Sequence, residues 1–294
     1  MQLRKLSKLK SLYLAANRLS ALRCLREEVV QHLPNLQNLA LGANAFNLAE
    51  AFKLPGCRIG LGWNAGTAPE GLSERLTEDF ATTEACFDPA SRGTRGEVLL
   101  VAFAGQGIGN LQWAAPCAAA RAAGLAVDAL YLADPANAYY LADPTGCWDG
   151  IAHYERLIAR HASRYARVLM VGSSMGGTAA LTHSALAHRV LAFGPRVDLT
   201  HTHGSYVDTG ARRACMDRIH ATLGRDMGLK VTVHVGSGNL EDVLQAGRVE
   251  GHGVTVTAHD TFHHNVPMYL QREGRLVPLI KRTLVALLLE GDGN

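Results

Sequence analysis

The sequence predicts an α/β protein, a mostly parallel, doubly wound sheet with helices on both faces. Short apolar segments alternate with segments of helical periodicity from about residue 84 onward, and this alternation is typical of parallel strands joined by crossover helices. The apolar run at 168–171 has the character of a strand buried on both faces. A turn with glycines on either side of a serine follows it directly and leads into a helical pattern.

The composition is that of a globular protein with a sizeable core. The 294 residues, 48% of them hydrophobic and 19% charged, suffice for one large or two modest domains. A net charge of +3 without a dense basic stripe argues against a nucleic-acid partner. No apolar run is long enough to span a bilayer. Six scattered cysteines and an N-terminus without signal-peptide character predict reduced thiols and a cytoplasmic location.

Residues 9–46 contain two copies of one pattern. The matched positions lie 27 residues apart and are Leu9, Leu12, Leu14, Asn17 and Leu19, then Leu36, Leu39, Leu41, Asn44 and Phe46. The segment resembles the leucine-rich-repeat family, which implies a short strand around 12–14 and a helical return over 20–32. Two repeats bury little core, so we expect residues 1–55 either to begin inside a longer array or to lean on the next domain. Contact with a protein partner is the role that such repeats suggest.

Residues 56–83 are predicted to form a linker with a short helix at 72–80, and residues 84–294 form the second domain. That domain begins with a strand at 84–89 and a turn at 91–96. The further predicted strands lie at 98–103, 126–132, 168–171, 190–193, 231–235 and 254–258. The predicted helices lie at 111–123, 151–165, from 178, at 211–223, shortly after 235 and from 278. In such a sheet, ligands bind at the carboxyl ends of the strands.

The segment from Gly172 to Gly176 has the G-x-S-x-G pattern of a nucleophile elbow, with Ser174 at its centre. The sharp turn requires small residues near the serine, and it would expose the serine hydroxyl above the sheet edge. The helix that follows would favour developing negative charge at its N-terminus. The alternative interpretation is a flexible Gly-Ser turn that merely caps a helix.

A serine hydroxyl is a poor nucleophile unless a base takes its proton and an acid orients that base. Two adjacent histidines, His263 and His264, follow the last predicted strand, and one of them can reach Ser174; we favour His264. Glu241 and Asp242 follow the preceding strand, and we favour Asp242 as the acid. For either carboxylate, the alternative is a solvated acid at a helix N-terminus.

Two backbone N–H groups would bind an oxyanion at this site. One belongs to Met175, directly after the serine, and the other to Ala104 or Gly105, in the turn after the strand at 98–103. Three aromatic residues follow the next strand at the same sheet edge, and they either line a substrate pocket or cover the sheet: Tyr139, Tyr140 and Trp148.

Residues 84–294 resemble the α/β-hydrolase superfamily, in particular a group, often bacterial and linked to surface polysaccharides, with four recurring motifs. Here those motifs are Phe103-Ala104-Gly105, Asp143-Pro144 with Trp148, Gly172-Ser173-Ser174-Met175-Gly176-Gly177 and His264-Asn265-Val266. The resemblance implies Ser174, His264 and Asp242 as a triad and no cofactor. It also implies an esterase-like hydrolase or acyltransferase that acts on a small-molecule or glycan-linked ester. The chain departs from the group at Asp149, where an aromatic residue is usual, and at Asn239, an amide close to where the acid is expected.

Three other interpretations compete with this one. Residues 105–110, together with Asp134, imitate a dinucleotide-binding fingerprint, but Asn110 stands where the last glycine is required. A metal site is disfavoured because the candidate histidines lack convincing ligand spacing; they are His201, His203, His252, His259, His263 and His264. A non-catalytic, repeat-bearing interaction protein is the third alternative. Finally, the connection at 194–210 is short for a large lid, which predicts an open pocket.

Overall fold

The computed structural model describes residues 11–13, 38–40, 58–60, 85–90, 96–105, 111–134, 136, 138–144, 146–200, 207–224, 229–251 and 253–290. Several predictions concern residues outside these ranges: the repeat asparagines Asn17 and Asn44, the helical return at 20–32, the helix at 72–80, the turn at 91–95, residues 106–110, and His201, His203 and His252.

Three short strands near the N-terminus form a parallel sheet. They are β1 (Ser11–Tyr13), β2 (Asn38–Ala40) and β3 (Arg58–Gly60), in the order β1-β2-β3. Leu12 pairs with Leu39, which is the offset of the repeated sequence pattern. Strand β3 lies beyond residue 55, within the segment predicted as a linker. The assignment of residues 1–55 to the leucine-rich-repeat family stays a prediction.

The second sheet has seven strands within the described parts of the chain. They are β4 (Ala85–Asp88), β5 (Val98–Phe103), β6 (Val127–Leu132), β7 (Arg167–Ser173), β8 (Arg189–Phe193), β9 (Lys230–Gly236) and β10 (Val254–His259). Their order is β4-β6-β5-β7-β8-β9-β10, and every neighbouring pair is parallel except β4 and β6. The predicted α/β fold with a mostly parallel sheet is therefore confirmed.

The helices that accompany this sheet are α1 (Leu111–Ala122), α2 (Gly150–Ala162), α3 (Met175–Thr182), α4 (Thr209–Leu223), α5 (Leu240–Gly247), α6 (Val266–Arg272) and α7 (Leu276–Leu289). Helix α6 was not predicted, although its start carries a recognisable signal. The Asn265 side chain accepts a hydrogen bond from the Met268 N–H, and Pro267 lies in the first turn. Within the described ranges, each helix is too short or too polar to cross a membrane.

The helices cover both faces of the sheet, as predicted. On one face, Val101 of β5 belongs to the same apolar core as Ile158 of α2 and Ile219 of α4. On the other face, Leu100 of β5 packs in a second core with Leu284 of α7, to which α1 and α6 also contribute. Strand β5 is buried along its whole length because helices cover it on both sides.

The strand order places a crevice at the carboxyl end of the sheet, between β5 and β7. The chain runs from β5 to β6 on one side and then crosses to β7 on the other side of β5. The connections therefore leave in opposite directions, and this switch point is where α/β sheets bind ligands. Phe103 pairs with Gly172 at this end, which brings the segments after the two strands together.

One buried histidine, His183, should make the stability of the fold depend on pH. It follows α3, is 1% exposed and stacks against Phe103 with ring centroids 6.0 Å apart. Neither ring nitrogen has a hydrogen-bond partner among the described residues. Burial, with a smaller contribution from the charge of Arg218, lowers the pKa of His183 to about 3. The imidazole is therefore neutral in the folded protein at neutral pH.

We expect His183 to make the protein less stable in acid. Between the ordinary histidine pKa of 6.5 and a pKa of about 3, the unfolded chain binds a proton that the folded chain does not. Each unit by which the pH is lowered within this range should therefore reduce the free energy of unfolding by about 1.4 kcal/mol through this group. In urea titrations from pH 8 to 5, the free energy of unfolding of His183→Phe should rise relative to that of the wild type by this amount for each unit below pH 6.5. The exposed His220→Gln is the control, and an equal gain there would contradict the assignment.

Candidate active site

Ser174 occupies a strained turn between β7 and α3. Its φ of 55° and ψ of −119° lie in a region that glycine favours and that costs an L-residue free energy. The Ser174 N–H donates to the Phe193 carbonyl at 2.8 Å, and the Ser174 carbonyl accepts from the Thr178 N–H at 3.0 Å. The serine side chain makes no capping hydrogen bond to α3. The turn is thus held by backbone bonds and leaves the hydroxyl available to other groups.

The two glycines of the motif are required by close backbone packing. A Cβ atom on Gly172 would lie 2.1 Å from the Gly176 carbonyl oxygen, and one on Gly176 would lie 2.4 Å from the Phe103 carbonyl oxygen. Distances this short exclude any side chain, because the obstructing atoms belong to the backbone. The turn is therefore clamped against the end of β5, unlike the flexible cap of the alternative interpretation.

The structure brings Ser174, His264 and Asp242 together. The Ser174 Oγ lies 2.8 Å from the His264 Nε2. The His264 Nδ1 lies 2.8 Å from Oδ1 and 2.9 Å from Oδ2 of Asp242. With Nδ1 protonated toward the carboxylate, Nε2 is left as the acceptor for the serine hydroxyl. The Asp242 side chain is fully buried, whereas that of His264 is 34% exposed.

The two residues that competed for these positions lie elsewhere. The side chain of Glu241 is 55% exposed and pairs with Arg196 rather than with a histidine. His263 is exposed, and its backbone N–H donates to the Thr261 hydroxyl at 3.2 Å. Of the two adjacent histidines, His264 is the one whose ring lies at hydrogen-bond distance from the Ser174 hydroxyl.

Asn239, the amide close to where the acid is expected, has a structural task. It is the N-cap of α5, and its side-chain oxygen accepts a hydrogen bond from the Asp242 N–H at 3.2 Å. An amide or a carboxylate can serve as such a cap. The cap fixes the first helical turn, and that turn directs the Asp242 carboxylate toward His264.

Sequence reasoning missed two residues that contact this array. The Arg196 Nη1 lies 3.1 Å from the Asp242 Oδ1 and 3.1 Å from the Glu241 Oε1, and its side chain is only 8% exposed. Gly194 has a φ of 52°, and a Cβ there would lie 3.1 Å from the His264 ring. Both residues follow β8 at the carboxyl edge of the sheet, and that position was the available signal.

The candidate oxyanion donors differ in availability. Met175 opens α3, where the first N–H groups of a helix have no partner inside the helix. The Ala104 N–H donates to the Leu132 carbonyl at 2.9 Å, because the pairing of β5 with β6 continues one residue past the strand. Ala104 is thus excluded as a donor. The N–H of Gly105 donates to no described residue, so Gly105 and Met175 are the candidates that remain.

Tyr140 is buried, and its hydroxyl binds the backbone where β5 and β6 end. It is 1% exposed, and its hydroxyl lies 3.0 Å from the carbonyl oxygens of both Ala104 and Leu132. Its N–H donates to the buried Asp134 carboxylate at 2.8 Å, which also gives Asp134 a structural role. Of the two alternatives for Tyr140, these contacts favour covering the sheet over lining a substrate pocket, because the strand ends already use its polar group.

The other two aromatic residues of this loop differ from each other. Tyr139 is 3% exposed, and burial raises its pKa, which the nearby charge of Arg196 partly offsets. Trp148 is 46% exposed. Of the three predicted aromatic contacts, Trp148 is the one whose side chain is open to a ligand.

The geometry has a definite chemical capacity. A hydroxyl at hydrogen-bond distance from a neutral imidazole can lose its proton as it attacks a carbonyl carbon. The buried carboxylate on the far side of the imidazole stabilises the imidazolium that forms. Within the described parts of the chain, no three His, Cys, Asp or Glu side chains converge as a metal site requires.

Comparison with known proteins agrees with the fold. No family model matches the sequence, and no curated protein does. Among solved structures, Est1E from Butyrivibrio proteoclasticus is similar at a TM-score of 0.50 and 10% identity, over 70% of this chain and 94% of that one. An S-formylglutathione hydrolase from Agrobacterium tumefaciens matches at a TM-score of 0.45 and 13% identity, over 68% of this chain and 88% of that one. A ferulic acid esterase matches at a TM-score of 0.43 and 14% identity, over 67% of this chain and 92% of that one. The likeness to Est1E, together with the strand order, shows the α/β-hydrolase fold and, at this identity, the fold alone.

We expect the strain at Ser174 to be measurable as stability. Ser174→Gly and Ser174→Ala both lose the hydrogen bond to His264, but only glycine relieves the positive φ of 55°. Urea titrations should find the glycine variant more stable than the alanine variant by about 1 kcal/mol. At Ser173, within β7, the order should reverse, because glycine weakens a strand with ordinary backbone angles. The same order at both positions would contradict the strain.

Proposed function

We propose that this protein is a serine hydrolase with esterase-like activity. The observation that carries the proposal is the contact of Ser174 Oγ with His264 Nε2 at 2.8 Å, while His264 Nδ1 binds the buried Asp242. The elbow backbone, which holds this serine in a strained turn at the switch point of the sheet, supports it.

The proposed reaction begins with attack by Ser174 on an ester carbonyl. His264 accepts the serine proton as the new bond forms, and the carbonyl oxygen becomes an oxyanion. The N–H groups of Met175 and Gly105 would stabilise that charge. The carbon–oxygen bond to the leaving alcohol then breaks as His264 returns the proton to the alkoxide. Water repeats the sequence on the acyl-enzyme, releases the acid and restores Ser174.

Arg196 compensates the charge of the acid. Its Nη1 lies 3.1 Å from the Asp242 Oδ1, so the fully buried carboxylate has a cationic partner when the imidazole is neutral. We regard Arg196 as a positioning residue that acts through Asp242.

Exposed apolar side chains favour an ester with an apolar group. Phe262, 82% exposed, lies in the loop that leads to His264, and Leu240 and Leu244, 70% and 62% exposed, lie on the helix that carries Asp242. Trp148 is also exposed.

Transfer to an alcohol, including a sugar hydroxyl, would proceed through the same acyl-enzyme if that alcohol arrived before water. Product analysis with added alcohols separates hydrolysis from transfer.

We expect p-nitrophenyl acetate and butyrate to be turned over by the wild type. Ser174→Ala and His264→Ala should each lower kcat by about a thousandfold or more, because the two groups act as a unit. His263→Ala is the matched control and should stay within about threefold, since His263 lies exposed outside the array.

Two results would oppose this proposal in different ways. A wild type without turnover and without a covalent fluorophosphonate adduct would favour the non-catalytic interaction protein. Turnover that survives Ser174→Ala would place the chemistry elsewhere. Mass spectrometry of the adduct identifies the labelled serine directly.

Arg196→Gln should lower kcat by about tenfold with little change in KM. Loss of a partner 3.1 Å from the Asp242 carboxylate leaves that carboxylate less firmly held in the position from which it orients His264. Arg196→Lys should restore part of the lost kcat. Arg248→Gln is the control, because Arg248 pairs with Asp198 at 2.8 Å, outside the array. Equal losses of kcat in the two glutamine variants would refute the role of Arg196.

A further inference from the structure

A second cavity lies away from Ser174, on the face of the sheet that carries α6 and α7. It has a volume of about 650 Å³ and is bounded by strands β8, β9 and β10 and by helices α6 and α7. None of Ser174, His264 and Asp242 lines it. We call it the α7 groove.

The α7 groove is positively charged. Its lining includes Arg189, Lys230, Arg275 and Arg282 and no acidic residue. At one end, Arg189 and Lys230 both pair with Glu290. Arg275 and Arg282 have no acidic partner among the described residues. Arg275 is the residue just before α7, and Arg282 follows seven residues later, about two helical turns on, so the two project from nearly the same side, about 10 Å from each other.

The strands at the floor of the groove present polar side chains to it, half-buried at Thr232 and Thr257 and exposed at Thr255. Strand β9 alternates, with Val231 and Val233 in the apolar core of one face and Thr232 and His234 at the groove. On the neighbouring strand, Thr255 and Thr257 also line the groove. Hydroxyl groups in this position contribute little to a core, but they can donate hydrogen bonds to a ligand.

A buried histidine, His234, lies at the other end of the groove and has one ring nitrogen without a hydrogen-bond partner among the described residues. His234 is 3% exposed, and its Nδ1 lies 3.0 Å from the His259 Nε2. Its Nε2 is buried and has no hydrogen-bond partner among the described residues. An unsatisfied buried nitrogen costs free energy that a ligand could recover. When His259 donates in the bond between the rings, the Nε2 of His234 carries its proton and is a donor.

We propose that the α7 groove is a binding site for a small organic anion that carries a phosphate or carboxylate group. Arg275 and Arg282 supply the charge, the threonine hydroxyls of β9 and β10 supply hydrogen bonds, and His234 supplies a donor at the end. The proposal does not depend on the hydrolase activity, because the groove shares no residue with the Ser174 array.

The test is isothermal titration calorimetry of the full chain with inorganic phosphate and, separately, with citrate. We expect binding in the millimolar range or tighter at low ionic strength, because guanidinium pairs bind such anions in charge-assisted hydrogen bonds. The double variant Arg275→Gln/Arg282→Gln should weaken binding by about tenfold or more. The control is Arg272→Gln, an exposed arginine of α6 outside the groove lining, which should change affinity by less than about twofold.

The outcomes separate cleanly. Equal losses in the double variant and the control, or no binding of either anion at about 20 mM, would overturn the proposal. Binding of phosphate alone supports it and assigns a phosphate ligand, and binding of citrate alone supports it and assigns a carboxylate ligand. Both arginines are exposed, so circular dichroism should find the variants folded.

Discussion

The backbone of Ser174 is the constraint on which the site depends. A serine at a φ of 55° persists only where the surroundings hold it, and here the Gly176 backbone packs against the Phe103 carbonyl at the end of β5. This contact requires β5 and β7 to be neighbours, which the strand order provides. The reversal of connection direction between the same two strands opens the crevice above the serine. One packing contact thus couples the topology of the sheet to the exposure of the hydroxyl.

A second constraint is the burial of the Asp242 charge. A carboxylate with no exposed surface must be compensated, and His264 and Arg196 approach it from two sides. Gly194 leaves room for the imidazole, since a Cβ there would lie only 3.1 Å from the His264 ring. Asn239 also contributes, since its cap fixes the helical turn from which the Asp242 carboxylate projects. The residues after β8 and β9 therefore form one electrostatic unit around the base.

Local patterns predicted much of this arrangement. The alternation of strands and helices and the G-x-S-x-G turn are properties of short spacings, and Asp242 and His264 were found by their places after the last two predicted strands. The cap at Asn265 would also have predicted α6. By contrast, Arg196, the hydrogen bond of Ala104 to β6 and the burial of Tyr140 follow from register between strands distant in sequence. No short pattern encodes that register, which is why the sequence left the role of Tyr140 open between pocket and sheet cover and overlooked Arg196.

Strand β9 shows that the fold alone does not explain every polar residue. At its carboxyl end it leads into the cap of α5 and so to Asp242. Along its length, Val231 and Val233 serve the core, while Thr232 and His234 face the α7 groove. On the same face of the sheet, β7 uses Leu169 and Val171 to pack against helices. His234 stacks on Phe193 with ring centroids 4.6 Å apart, but burying its Nε2 without a hydrogen-bond partner among the described residues opposes stability. This nitrogen, together with two groove arginines that lack an acidic partner in the described part of the chain, is therefore better explained by a ligand than by packing.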